Sequence, residues 1–184
     1  MKDKKINQPF RKVAKQESKI NPMRKVEIER VVVSCSGVKE VLSKGVKLLE
    51  KITKRKVSIR KTKKRIPEFG IRPGLEVGCI VTIRGEEAEK LLGRLLAAID
   101  NKLDEKQIAD NHFSFGIEEY IEIPGEEYDR EIGITGLKVS VVFKRKGKRI
   151  QKKKIKRGKL SEKQKVTKEE IINFMIDKFE TEIE

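Results

Sequence analysis

Residues 77–99 read VGCIVTIRGEEAEKLLGRLLAAI, and two hydrophobic rhythms meet inside this run. Up to Ile83 the period is two. Val77, Cys79, Val81 and Ile83 alternate with Gly78, Ile80 and Thr82, the pattern of a strand with one face firmly buried. After Gly85 the period lengthens to threes and fours, and Ala88, Leu91, Leu92, Leu95, Leu96 and Ile99 gather on one stripe of a helix. Glu86, Glu87 and Glu89 suit the positive N-terminal end of that helix. A one-sided strand followed by a one-sided helix forms two layers over a shared core, with this strand expected at the centre of the sheet.

Upstream, Glu27–Ser34 carries the β-branched Ile28, Val31, Val32 and Val33 and reads as a strand that Ser36-Gly37 breaks. A helix is expected from Val38 onward on the stripe Val41, Leu42, Val46, Leu49 and Ile52, despite Gly45. Val57–Lys61 is a short basic strand. Pro67, Gly70, Pro73 and Gly74 then mark a loop of about a dozen residues, longer than a purely structural connection needs. Downstream, Phe113, Phe115 and Ile117 alternate, as do Ile121 and Ile123 before the Pro124-Gly125 turn, and Val139, Val141 and Phe143 make a last strand. Thr167 and Glu170 have capping-box spacing at the head of a final helix that buries Ile171, Ile172, Met175, Ile176 and Phe179. The expected fold class is α+β: a mainly antiparallel sheet with two long helices on one face, basic arms at both ends and a C-terminal helix. The boundaries read as a basic N-terminal arm over 1–25, a core over 26–143, a basic linker over 144–166 and an amphipathic helix over 167–184.

Composition sets the limits on function. The chain has 184 residues with 45 Lys or Arg against 29 Asp or Glu, a net charge of +16, and is 40% charged but only 36% apolar. One modest core with polar extensions is the most this material builds. The longest stretch without a charged side chain, Val31–Val38, has eight residues, far short of the ~18 that a membrane span requires. No apolar block of signal-peptide type occupies the N-terminus, so a protein inside the cell is expected, with no membrane partner. Cys35 and Cys79 are too far apart for a Cys-x-x-Cys pair, and the lone His112 cannot complete a zinc set, so no metal and no cofactor are expected. Both cysteines lie in apolar runs and read as buried free thiols.

The charge is unevenly distributed. Residues 1–25 carry nine bases and two acids, Lys54–Arg65 carries eight bases and no acid, and Lys144–Lys168 carries fourteen bases and the single Glu162. Asp100–Glu131, by contrast, holds eleven acids and three bases, and should face solvent or a basic protein neighbour. A block such as Lys144–Lys168 repels itself and is expected to gain order only from a polyanion. One basic run alone fits a solubilising tail or a localisation signal as well. Three such runs, without the apolar face of a membrane-surface helix, point to nucleic acid.

Enzymatic constellations are missing. No nucleophile has a base beside it, no phosphate-binding loop occurs, and the pairs Glu118/Glu119 and Glu126/Glu127 read as exposed acidic turns. Gly133-Ile134-Thr135-Gly136 has the spacing of a KH clamp, but its neighbours read as strands where that clamp joins helices. With seven Phe and two Tyr, several in core positions, base stacking is a minor term. Phosphate contact and shape dominate, which suits structured RNA.

One set of segments is more specific. Asn21-Pro22-Met23-Arg24-Lys25, Ile28-Glu29-Arg30-Val31-Val32 and Gly37-Val38-Lys39-Glu40 open it. Leu49-Glu50-Lys51-Ile52-Thr53, Arg60 to Ile66, Phe69 to Gly74, Gly78 to Gly85, Phe113 to Glu119, Tyr128-Asp129 and Gly133 to Leu137 follow in order. Together they resemble the universal L5 family of large-subunit ribosomal proteins, and the basic run followed by Val166-Thr167-Lys168-Glu169-Glu170 resembles the C-terminus of its archaeal form. The resemblance implies a structural, non-enzymatic constituent of the central protuberance. Its partners would be 5S rRNA, 23S-type rRNA, P-site tRNA and neighbouring ribosomal proteins.

By the same resemblance, Asn21, Met23, Arg24, Ser34, Thr53, Arg55 and Thr82 would contact 5S rRNA, small polar groups bonding ribose hydroxyls and arginines forking onto phosphates. The loop with Lys63, Lys64, Arg65, Phe69 and Arg72 would face tRNA, and the tail with Lys152, Lys153, Lys154, Lys156 and Arg157 would lie on rRNA. This chain departs from the family pattern at three places. Ser34 stands where many members have Asn, Lys54-Arg55 where Gly-Gln is common, and Lys39 in a turn that commonly reads Gly-Val-Gly-Glu. The first two departures move those contacts from amide hydrogen bonds toward hydroxyl and charge. Two other classes remain open on the residues alone: an extra-ribosomal protein that sequesters a regulator through its helices and acidic patch, and an RNA-modifying enzyme using Glu118, Glu119 or Glu126.

Overall fold

The computed structural model describes residues 22–183. Its strands are β1 (Val26–Ser36), β2 (Ser58–Lys61), β3 (Glu76–Ile83), β4 (Lys102–Leu103), β5 (Ile108–Ala109), β6 (His112–Ile117), β7 (Leu137–Arg145) and β8 (Glu182–Ile183). The helices are α1 (Glu40–Thr53), α2 (Glu86–Ala97), α3 (Arg149–Lys152) and α4 (Lys168–Phe179). Six strands form one mainly antiparallel sheet in the order β2-β3-β1-β7-β6-β5, and β4 pairs in parallel with β8. β3 is therefore second from an edge, and β1 and β7 hold the centre. Its alternation reports one buried face, a property that any inner strand shares, and so does not fix its neighbours. The short, fully exposed and basic β2 covers its outer edge, a composition that discourages pairing with another chain.

One parity rule runs through the sheet. Register pairs Val31 with Ile83, Val33 with Val81 and Cys35 with Cys79, and these odd-numbered side chains are buried, as are Phe113, Phe115, Ile117, Leu137, Val139, Val141 and Phe143. The even-numbered positions of β1, β3, β6 and β7 stay half-buried or exposed, whereas Ile108 of the short β5 is buried.

Residues Arg30–Asp100 and Ser114–Val141 form one compact unit. α1 buries Leu42, Gly45, Leu48, Leu49 and Ile52. Gly45 lies on the stripe itself and Leu48 takes the place expected for Val46, while Val41, in the first turn, is 51% exposed. α2 buries Ala88, Leu91, Leu92, Leu95 and Leu96 and stops before Ile99, which is half-buried. Ile121 is not in a strand: Tyr120–Glu122 is a 3₁₀ turn whose spacing of three buries Tyr120 and Ile123. The Tyr120 hydroxyl accepts the Asp129 backbone N–H at 2.7 Å, which satisfies the polar end of a ring otherwise in the core.

The described residues up to Glu29, with Asn101–Phe113 and those from Val142 onward, form the second unit. Phe143 stacks on Phe113 at 5.8 Å between ring centroids and meets Phe174 of α4 edge-on at 5.5 Å. The Thr167 N–H donates to the Glu170 carboxylate at 3.2 Å, the capping box read from the sequence. α4 buries Ile171 and Met175, while Ile172, Ile176 and Phe179 are half-buried. The basic run Lys144–Lys168, read as self-repelling throughout, is anchored by carboxylates outside it. Arg145 pairs with Glu170, Lys146 with Glu27, and Lys148 and Lys152 both pair with Glu29.

Candidate nucleic-acid interface

The even-numbered face of the sheet in the Arg30–Asp100 and Ser114–Val141 unit is the open one. Arg60 of β2 sits opposite Gly78, Ser34 opposite Ile80, and Thr82 opposite Val32, so these side chains share that face. Ser34, Ser36, Arg60, Gly78, Ile80 and Lys138 line a concavity of about 490 Å³ there. No carboxylate among the described residues lines it. Small side chains let a polymer backbone approach closely, and hydroxyls and cations meet its ribose and phosphate groups. The Ser34 hydroxyl is 3.5 Å from the Lys138 carbonyl oxygen, at the outer limit of a hydrogen bond, and remains available to a ligand. Ser36, Arg60 and Lys138 go beyond the residues expected from sequence. Their even numbering in alternating strands was the available signal.

The opposite face of the same strands is apolar. Cys35 and Cys79 are free, buried and directly opposite one another beneath Gly45. Hydrogen bonding from Cys79 and burial push the Cys35 thiol far above its usual range, so it stays protonated.

At the exit of α1, Thr53 donates its hydroxyl to the Leu49 carbonyl at 2.6 Å and Arg55 pairs with Glu87. Both are engaged within the protein. The long loop is preorganised. Ile66 and Ile71 exchange backbone hydrogen bonds of 2.9 and 3.0 Å, and Thr62 donates its hydroxyl to the Arg72 carbonyl at 2.9 Å. Gly70 at φ 63° and Gly74 at φ 85° supply the left-handed turns. This frame leaves Lys63, Lys64, Arg65 and Arg72 exposed and Phe69 73% exposed at the tip.

Residues 21–72 match the family model for ribosomal protein L5, and residues 76–174 match the model for the C-terminus of the same ribosomal family. The chain belongs to the ribosomal protein L5 family. It is 43% identical over 159 residues to the large ribosomal subunit protein uL5 of Nanoarchaeum equitans, covering 84% of this chain and 93% of that one. The uL5 of Methanospirillum hungatei is 40% identical over 169 residues, with 90% and 100% covered, and that of Archaeoglobus fulgidus 39% over 159 residues, with 84% and 88% covered. As an L5 protein it is a non-enzymatic structural constituent of the large subunit of the cytoplasmic ribosome. Its partners are rRNA and ribosomal proteins. Among the described residues no helix is long and apolar enough to cross a membrane.

The L5 match extends through residue 174, so the whole basic run lies within the family's extent. In that second unit, Met23 and Arg24 are exposed in the 3₁₀ turn Pro22–Arg24, while Asn21 and most of the expected N-terminal arm lie outside the described residues. Lys152 is held by Glu29 at 2.7 Å. Lys153, Lys154, Lys156 and Arg157 are exposed, and the Arg157 Nε donates to the Gln151 carbonyl at 2.7 Å.

Proposed function

We propose that this L5 protein docks on 5S rRNA through the open face of its sheet and reaches P-site tRNA through the Thr62–Leu75 loop. The observation that carries the reading is the parity of the sheet. Helix-covered apolar side chains occupy one face and Thr82 lies on the other, where Ser34, Arg60, Gly78 and Lys138 line a concavity free of carboxylates among the described residues. Asn21, Met23 and Arg24 extend the 5S contact from the N-terminal side, and Thr53 and Arg55 sit at its margin, already committed to partners of their own. Lys63, Lys64, Arg65, Phe69 and Arg72 form the tRNA-facing tip. Lys153, Lys154, Lys156 and Arg157, with Lys152 steadied by Glu29, follow rRNA of the 5S or 23S type. The arm 1–25 and the linker 144–166 then act as cationic extensions of the core 26–143, ahead of the helix 167–184. The acidic stretch Asp100–Glu131 turns toward solvent or a basic ribosomal protein.

The test is selection. Purified protein mixed with total RNA at physiological ionic strength should retain 5S rRNA in the presence of heparin. Equal retention of heparin and 5S rRNA removes the proposal, because counterion release alone would then account for binding.

A further inference from the structure

Between the end of β7 and the start of α4 the basic run folds around a cavity of about 660 Å³. That volume lies within the ~300–1,000 Å³ typical of sites for small organic groups. Phe143 lies beneath it and the half-buried Leu160 forms part of its wall. Among the described residues six cations line it and no carboxylate does. Three of the six are engaged: Arg145 with Glu170, Lys148 with Glu29 and Lys165 with Glu162. Lys144, Arg157 and Lys159 have no carboxylate partner among the described ion pairs. Gln151 and Gln164, both exposed, add amides that present a donor and an acceptor together.

Resting on the RNA-docking reading, we infer that this cavity receives one unstacked nucleotide of the bound rRNA. The base lies against Leu160 within reach of the two glutamine amides, and its phosphate meets Lys144, Arg157 and Lys159. An apolar wall, amides and unpaired cations are the three elements that recognise a splayed nucleotide. A polymer suits the place better than a free nucleotide. Lys153, Lys154 and Lys156 stand exposed in the same run and interact with a phosphate chain that continues past the cavity.

The test fills the space without touching the charge. Leu160→Trp in the full chain should weaken binding to 5S or 23S-type rRNA roughly tenfold or more, with the slope of log affinity against log salt unchanged. Lys153→Ala/Lys154→Ala should instead reduce that slope by about 0.7–0.9 per lost phosphate contact. Wild-type affinity of Leu160→Trp for both rRNAs overturns the inference and leaves the docking reading standing. Wild-type protein that does not prefer rRNA to heparin overturns both. Should the variant not fold, photo-crosslinking of the wild-type protein to 4-thiouridine-substituted rRNA decides. Crosslinks on the peptide holding Leu160 and Gln164 support the site, and crosslinks confined to Lys152–Lys156 or outside the run overturn it.

Discussion

Lys152 extends its ammonium to within 2.7 Å of Oε1 of Glu29, a carboxylate only 6% exposed, and Lys148 takes the other oxygen. Burial pushes this carboxyl up, but hydrogen bonds and attraction from Lys148 and Lys152 outweigh it and hold the pKa at about 2, against a usual 4.5. The folded-state value is depressed, so the stabilisation is present above pH 4.5 and is lost as pH falls toward 2. It amounts to about 3 kcal/mol. Glu29→Gln should cost about 2 kcal/mol at pH 7, since it leaves two lysines without their counter-charge. Urea midpoints of the two proteins should converge by more than half between pH 7 and pH 3. A constant gap across that range would mean that Glu29 is held by packing rather than charge.

Lys39 precedes α1 at φ 53° and ψ −112°, a region that glycine occupies without strain and a lysine does not. The side chain is exposed, so nothing in the packing compensates. Lys39→Gly should therefore stabilise the protein by about 1–2 kcal/mol, and Lys39→Ala should not. Denaturation midpoints of the three chains give the answer directly. If alanine raises the midpoint as much as glycine, charge near the helix start is responsible and not backbone strain.

A Cβ at Gly45 would stand 3.1 Å from the Cys35 Cβ and 3.3 Å from the Cys79 sulfur. The helix lies this close to the sheet only because position 45 is bare. Gly45→Val should cost about 1–3 kcal/mol by overpacking. Adding Cys79→Ala should return part of that cost by removing the sulfur beneath it, a coupling that a double-mutant cycle measures. Purely additive losses would place the strain elsewhere in α1.

The parts of the fold that were legible in the sequence are those with local causes. α2 and α4 are set by apolar periodicity and, in α4, by Thr167 and Glu170 three residues apart. The position of β3 in the sheet and the turn at Tyr120, whose hydroxyl accepts the Asp129 N–H, depend on partners beyond the local pattern. The candidate interface divides in the same way. The loop tip was legible because Pro67, Gly70, Pro73 and Gly74 shape it locally. Arg60 and Lys138 become part of the site only through strand pairing, and Lys152 meets a carboxylate 123 residues away that nothing in its own basic run announces.

The loop and the open sheet face belong to one unit but carry separate chemistry, which makes their roles separable. Backbone bonds between Ile66 and Ile71, and from Thr62 to Leu75, hold the loop without help from its cations. Replacing Lys63, Lys64 and Arg65 with Ala should leave the fold and the salt slope of 5S rRNA binding unchanged while crosslinking to P-site tRNA falls severalfold. Arg60→Ala/Lys138→Ala should do the reverse, lowering the 5S slope by about 0.7–0.9 for each phosphate contact removed. Filter binding on 5S rRNA, beside tRNA crosslinking in reconstituted subunits, reads both arms. Equal losses of both activities in the loop variant would mean that one continuous basic surface serves both RNAs, and the division between face and tip would have no basis.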